Sequence, residues 1–200
     1  MSRSRTVGTG DRGATIIEFA LIMPFLIFLA MGTADMGLGW VATDRVESAS
    51  AQAARTAAVK GTRVEADRDV LVTLATALPA AELANLDRVV IFKPGVGGAV
   101  PSGCIKTAGD TSDTGATDCN TYSGATVRAA TATSMTGFGG TAGSKDRFWS
   151  PASRNDALLD PPDYIGVWLR TTHNSQVGGF FGNITITKVT ILRIQPDLAG

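Results

Sequence analysis

Charge is scarce in this 200-residue chain: 18 Lys and Arg balance 18 Asp and Glu, and charged residues make up only 18% of it, against roughly 25% in an average soluble domain. A chain without net charge has no global field to draw in nucleic acid, and that partner class is excluded. Aromatic residues are also few, at 6%, which excludes a large aromatic core. One histidine, His173, and two cysteines, Cys104 and Cys119, remove most zinc sites and most mechanisms that need an imidazole base. Glycine is abundant instead, with 23 residues, and predicts many loops around a thin core. The basic residues divide into 13 Arg and 5 Lys, which with plentiful Ala, Thr and Gly is the composition of a GC-rich bacterial genome. The length suits one compact domain of about 100–150 residues and an accessory segment.

The accessory segment is at the N-terminus. Residues 1–13 are polar and carry Arg3, Arg5 and Arg12 against Asp11. An apolar run follows, and from residue 19 to residue 34 no side chain is charged. Those 16 residues make about 24 Å of helix, short of the roughly 30 Å hydrocarbon layer. Including residues 14–17 brings the run to about 31 Å, with Glu18 inside it. A carboxylate at the centre of a span costs about 2.5–3.5 kcal/mol, and less near the interface. Basic residues before the run, and Asp35 and Asp44 after it, place the N-terminus in the cytoplasm and the remainder outside.

Three readings fit this run. A cleaved secretory signal peptide would use the small residues Gly32-Thr33-Ala34, but Glu18 and Pro24 interrupt its apolar region. A plain membrane anchor would tolerate Glu18 at the interface. The third reading uses more residues. Gly13-Ala14-Thr15-Ile16-Ile17-Glu18-Phe19 resembles the prepilin junction of the tight-adherence (Flp/Tad) class of type IV pili. Pro24 and the Leu/Ile run after it extend the resemblance to the TadE-like pseudopilin family. It implies peptidase cleavage between Gly13 and Ala14, with Glu18 as the fifth mature residue and Phe19 behind it.

The spacing has a physical rationale of its own. Cleavage after Gly13 creates an ammonium on Ala14, and Glu18 lies one helical turn away on the same face. Pairing a buried amine with a carboxylate recovers much of the several kcal/mol that each costs alone. In helices packed side by side, Glu18 of one subunit can meet the Ala14 amine of the next, giving attraction and registry. An intrachain pair or a snorkelling carboxylate would use the same residues.

Beyond the run, residues 35–60 favour helix, with Gly61 as its stop. Leu38, Val41, Val46, Ala49, Ala53 and Ala57 form the expected core-facing stripe. Together with the run they predict one helix of about 45 residues, half in the bilayer and half packed on a domain. A second helix is expected over 64–78, ended by Pro79, and a strand over 88–92, ended by Pro94-Gly95. From 97 to 147 the pattern dissolves: 33 of 51 residues are Gly, Ser, Thr or Ala, which reads as a long solvated loop region or a partly disordered insertion. Strands resume at 164–169 and at 184–194, the latter with a mid-strand bulge expected. A glycine-rich connection joins them. That connection, Gly178-Gly179-Phe180-Phe181-Gly182, and the strand after it resemble the C-terminal part of TadE/TadG-type proteins, although Gln195-Pro196 stands where the family often has an acid before the proline.

Cys104 and Cys119, in an oxidising compartment, are expected to form a disulfide worth about 3 kcal/mol for a loop of this size. A metal or redox pair lacks partners, because there is no CxxC and His173 is 54 positions beyond Cys119. Asp110, Asp113 and Asp118 have some character of a calcium loop, without EF-hand spacing or a terminal Glu. The glycines at 137–140 lack a strand-to-helix setting for a dinucleotide, and one histidine in an expected turn supports no triad. Asn183-Ile184-Thr185 fits a glycosylation sequon, a pattern common by chance.

The expected fold class is therefore α+β: a long N-terminal helix, its first half spanning a membrane, packed on a small antiparallel sheet with long Gly/Thr-rich loops, an architecture that resembles type IV pilin subunits. The expected organisation is a cytoplasmic leader (1–13), the spanning and extended helix (14–60) and an extracytoplasmic domain (61–200) carrying the loop-rich insertion. The resemblance implies a minor pilin or pseudopilin that is trimmed by a prepilin peptidase and takes part in assembling or priming a Flp-type pilus. Its expected partners are other pilins, inner-membrane assembly machinery and membrane lipid. Neither cofactor nor enzymatic activity is expected. The alternative is a membrane-anchored binding or adhesion module with no pilus role.

Overall fold

The computed structural model describes residues 11–157, 161–175 and 182–196. The first element, α1 (Asp11–Lys60), is a single helix of 50 residues with Pro24 inside it. Residues 15–34 are exposed apart from half-buried Gly32, and the helix is long and apolar enough to cross a membrane. Twenty residues at 1.5 Å each give about 30 Å, the thickness of the hydrocarbon layer. The one hydroxyl late in this stretch, Thr33, donates to the Leu29 carbonyl at 2.6 Å, so the apolar run carries no unsatisfied side-chain donor there.

After residue 34 the helix acquires a buried side. Asp35, Gly39, Ala42, Val46, Ala49, Ala53 and Ala57 are buried, in steps of three and four that keep one stripe aligned. Leu38 and Val41, expected on that stripe, are exposed instead. They flank it, since the stripe starts from Asp35 and Gly39. Small residues bring the helix axis close to the sheet behind it.

That sheet has four antiparallel strands in the order β2 (Cys119–Ser123), β1 (Leu86–Phe92), β3 (Tyr164–His173), β4 (Ile184–Arg193). Strand β4 lies along α1. Ile184 sits at Gly39, Lys188 reaches Glu47 at 2.6 Å, the hydroxyls of Ser50 and Thr190 are 2.9 Å apart, and Ile194 covers Gly61. Twenty-two helical residues and ten strand residues both rise about 33 Å, so the two elements match end to end. A Cβ on Gly61 would come within 2.4 Å of Ile194, which is why glycine stands where helix and strand converge. The bulge expected in β4 is absent: its register with β3 is unbroken, and residues 184, 186, 188, 190 and 192 all face the helix side. The irregularity is in β1, between Leu86 and Arg88.

Two helices complete the first layer. Helix α2 (Ala66–Ala77) buries Val70, Leu71 and Leu74 against α1 and the sheet, and the short α3 (Ala80–Ala84) follows Pro79. The main core lies between these helices and one sheet face, where Val89, Ile91, Tyr122, Ile165, Val167 and Leu169 point.

The stretch 97–147 is not a structureless loop. It supplies the edge strand β2, every residue of which is buried, and the helix α4 (Gly124–Ala129), capped by the Ser123 side chain. It also covers the second sheet face, where Val90, Phe92 and Trp168 pack with Cys104 and Cys119. Phe92 lies flat on its cross-strand partner Gly166, whose missing side chain makes room for the ring. The observed class is α+β, as the sequence predicts.

Candidate functional site

The residues singled out at the N-terminus all fall on α1. Gly13 and Ala14 belong to the continuous helical backbone. Glu18 and Phe19 follow within two turns on an exposed surface, and Glu18 is about 6 Å along the axis from Ala14. Pro24 removes one backbone donor, which frees the Ala20 carbonyl within the apolar run. Residues 15–34 are exposed apart from half-buried Gly32. This exposed, apolar half-helix with one acid near its start is long and apolar enough to cross a membrane.

The junction between bare and packed halves is marked by Asp35. Its carboxylate is buried and accepts a hydrogen bond from the Ser175 hydroxyl at 2.7 Å. On the same level, His173 Nδ1 is 3.3 Å from Glu82 Oε1. His173 ends strand β3 rather than sitting in a turn. The connection after it, residues 176–181, lies outside the described residues.

Cys104 and Cys119 form the expected disulfide, with Cα atoms 6.1 Å apart. It is buried and ties the 97–118 segment to the outer sheet face. The Thr121 hydroxyl donates to the Cys104 carbonyl at 3.2 Å beside it.

The three acids considered for calcium are not brought together. Asp110 accepts from the Ser112 amide at 2.7 Å, which together with the Ser112 hydroxyl and the nearby Arg88 guanidinium holds its carboxyl below the usual value. Asp113 is engaged by Lys145, the Thr126 hydroxyl and the Ser123 amide. Burial alone would raise that carboxyl, but these three donors outweigh it and lower it. Asp118 is exposed, at a positive φ of 69°. Among the described residues no three His, Cys, Asp or Glu side chains are placed to share a metal ion.

The most elaborate polar cluster was not legible in the sequence. Asp67, in the first turn of α2, accepts from Asn120 Nδ2 at 2.7 Å, from the Tyr122 hydroxyl at 2.6 Å and from Arg154 at 2.5 Å. Arg154 also donates to the Gly61 and Trp149 carbonyls and lies over the Trp149 ring. Burial first, and then the Asp67 charge and hydrogen bond, push the Tyr122 hydroxyl well above its ordinary value of 10.0. Every member is enclosed and paired to another, so the cluster joins α2, β2 and the 149–154 segment and offers no opening to a substrate. A second buried cation, Arg88, donates to the Ser112 and Asp110 carbonyls and pins the covering segment in the same way.

Comparison with known proteins singles out the helix. Residues 13–55 match the family model described as TadE-like protein. The match begins at the glycine of the expected cleavage junction and ends within the part of α1 that packs on the sheet. No curated protein and no solved structure matches the chain.

Proposed function

We propose, on the premise of the TadE-like match over residues 13–55, that this chain is a minor pilin or pseudopilin of a Tad-type pilus, inserted in the bacterial cytoplasmic membrane with its sheet-bearing part outside. A prepilin peptidase cuts between Gly13 and Ala14. The new Ala14 ammonium and Glu18 then pair between neighbouring helices, and Phe19 packs beside them during assembly or priming of the fibre. The reading assigns no catalytic step to the chain.

One observation carries it. Glycine, glutamate, phenylalanine and proline at 13, 18, 19 and 24 lie on a single uninterrupted helix, exposed over residues 15–34 apart from half-buried Gly32. An acid there is a cost of a few kcal/mol that leucine would avoid, and an intersubunit ammonium is the partner that offsets it.

The test is intact-mass measurement of the membrane-extracted protein from its own host. A chain starting at Ala14 is the expected result. A start at Asp35 would establish a secretory signal peptide, and an uncut N-terminus would leave a plain membrane anchor.

A further inference from the structure

We infer that the part of α1 immediately above the span is a seat for the phospholipid headgroup layer, with Trp40 as its anchor. The inference rests on the bilayer reading of residues 15–34. It adds a second lipid contact, made by the base of the domain.

Its main support is the placement of charge. Between Glu18 and Asp44 the only charged residue is Asp35, and Asp35 is buried against Ser175. The exposed surface of α1 is thus uncharged from 19 to 43. Residues 15–34 take up the hydrocarbon layer of about 30 Å, and a headgroup layer adds about 5–8 Å on one side. The uncharged surface over residues 35–43 rises about 13 Å further, enough to cross that headgroup layer. Charges resume at Asp44 and Arg45, both exposed, where water begins.

The side chains in the upper part of that length are of the interfacial kind. Met36, Leu38, Trp40 and Val41 are exposed on α1, and Ile184, at the foot of β4 beside Gly39, is exposed as well. These surround the helix on every side except the buried stripe. In water they would be an apolar ring at the base of the domain, a feature soluble surfaces avoid. Trp40 lies about 9 Å above residue 34, and helical side chains lean toward the N-terminus. Its indole therefore reaches down into the headgroup layer, where an amphipathic ring is favoured.

Trp40 is also a usable probe. It is 72% exposed, whereas Trp149 and Trp168 are 5% and 4% exposed inside the domain. The full chain would be reconstituted into phosphatidylcholine and phosphatidylglycerol vesicles carrying brominated phosphatidylcholine. Bromine would be placed either near the glycerol or near the chain terminus, and flotation would be scored in parallel. The Trp40 signal is the difference between wild type and Trp40→Phe. Shallow bromine should quench it at least about twice as strongly as deep bromine, as an interfacial indole requires. A chain that floats with its Trp40 signal unquenched overturns the seat and leaves the span intact; the ring would then be free to meet neighbouring subunits. A chain that does not float overturns both.

Discussion

Asp67 and Arg154 are 87 residues apart in the chain and meet fully buried, a guanidinium nitrogen 2.5 Å from Oδ1. The pair is held on both sides. Asn120 and Tyr122 donate to the other carboxylate oxygen, and Arg154 keeps two carbonyls and an indole face. The N-terminal turn of α2 adds a favourable dipole for the acid.

Arg154→Leu leaves that carboxylate buried with its cation gone and should destabilise the protein by about 3–5 kcal/mol. Asp67→Asn combined with Arg154→Leu should recover part of the loss, because the uncompensated charge disappears. Urea unfolding of the two variants in detergent, followed by tryptophan fluorescence, reads both. Equal losses in the two would show that the charge pairing is not what matters.

Tyr122 gives the fold an alkaline limit. Its folded-state value lies well above 10.0, while in the unfolded chain it titrates near 10. The proton is therefore retained on folding. The associated stability is complete below about pH 10 and is lost as pH rises from there toward the folded-state value. Tyr122→Phe should cost about 1–3 kcal/mol at pH 8 through the donor lost to Asp67, and the gap from wild type should narrow above pH 10. A constant gap between pH 8 and pH 11 would contradict the assignment.

Cutting the disulfide should loosen one face selectively. Cys104→Ala with Cys119→Ala should lower stability by about 3 kcal/mol. Hydrogen exchange should speed up in 97–118 and around Trp168 before it does in α1. Uniform acceleration across both cores would mean that the bridge does not act as a local clasp.

Glu18→Leu tests the pairing at the membrane. Insertion should be unchanged or improved, since the span becomes more apolar. Association with wild-type pilins should weaken by about 1–2 kcal/mol, or roughly tenfold, as expected when a partly buried ammonium loses its partner. Crosslinking in membranes and a count of surface pili measure this, with cleavage verified in the same strain. Unaltered crosslinking and piliation would return Glu18 to the role of a tolerated interfacial acid.

The elements legible in the sequence were those with strong local periodicity. Helix α1, helix α2, strand β1 and the final hairpin strands all follow from apolar spacing and from Gly or Pro stops. Strand β2 was hidden because Cys-Asn-Thr-Tyr-Ser buries polar side chains, and their partners come from far along the chain: Asp67 for Asn120 and Tyr122, the Cys104 carbonyl for Thr121. No local pattern announces a donor whose acceptor is more than fifty residues away. Leu38 and Val41 were misplaced for a related reason. Periodicity identifies a stripe, but hydrophobicity alone does not show that Asp35 and Gly39 lie on it. At the proposed membrane site the motif residues are legible in the sequence, whereas the uncharged surface up to residue 43 depends on Asp35 being turned inward to Ser175, which no local pattern announces.

Helix α1 passes from the bare half to the packed half without a break, and this couples rotation as well as position. Each residue turns the helix by a set angle, so the direction in which Glu18 points is locked to the direction of the stripe beneath β4. A subunit cannot swivel its sheet while keeping its acid aimed at a neighbour. Whatever contact Glu18 makes in the membrane therefore dictates which flank of the outer domain, the disulfide-clasped face or the α2 side, is turned toward the adjoining subunit about 30–65 Å above it.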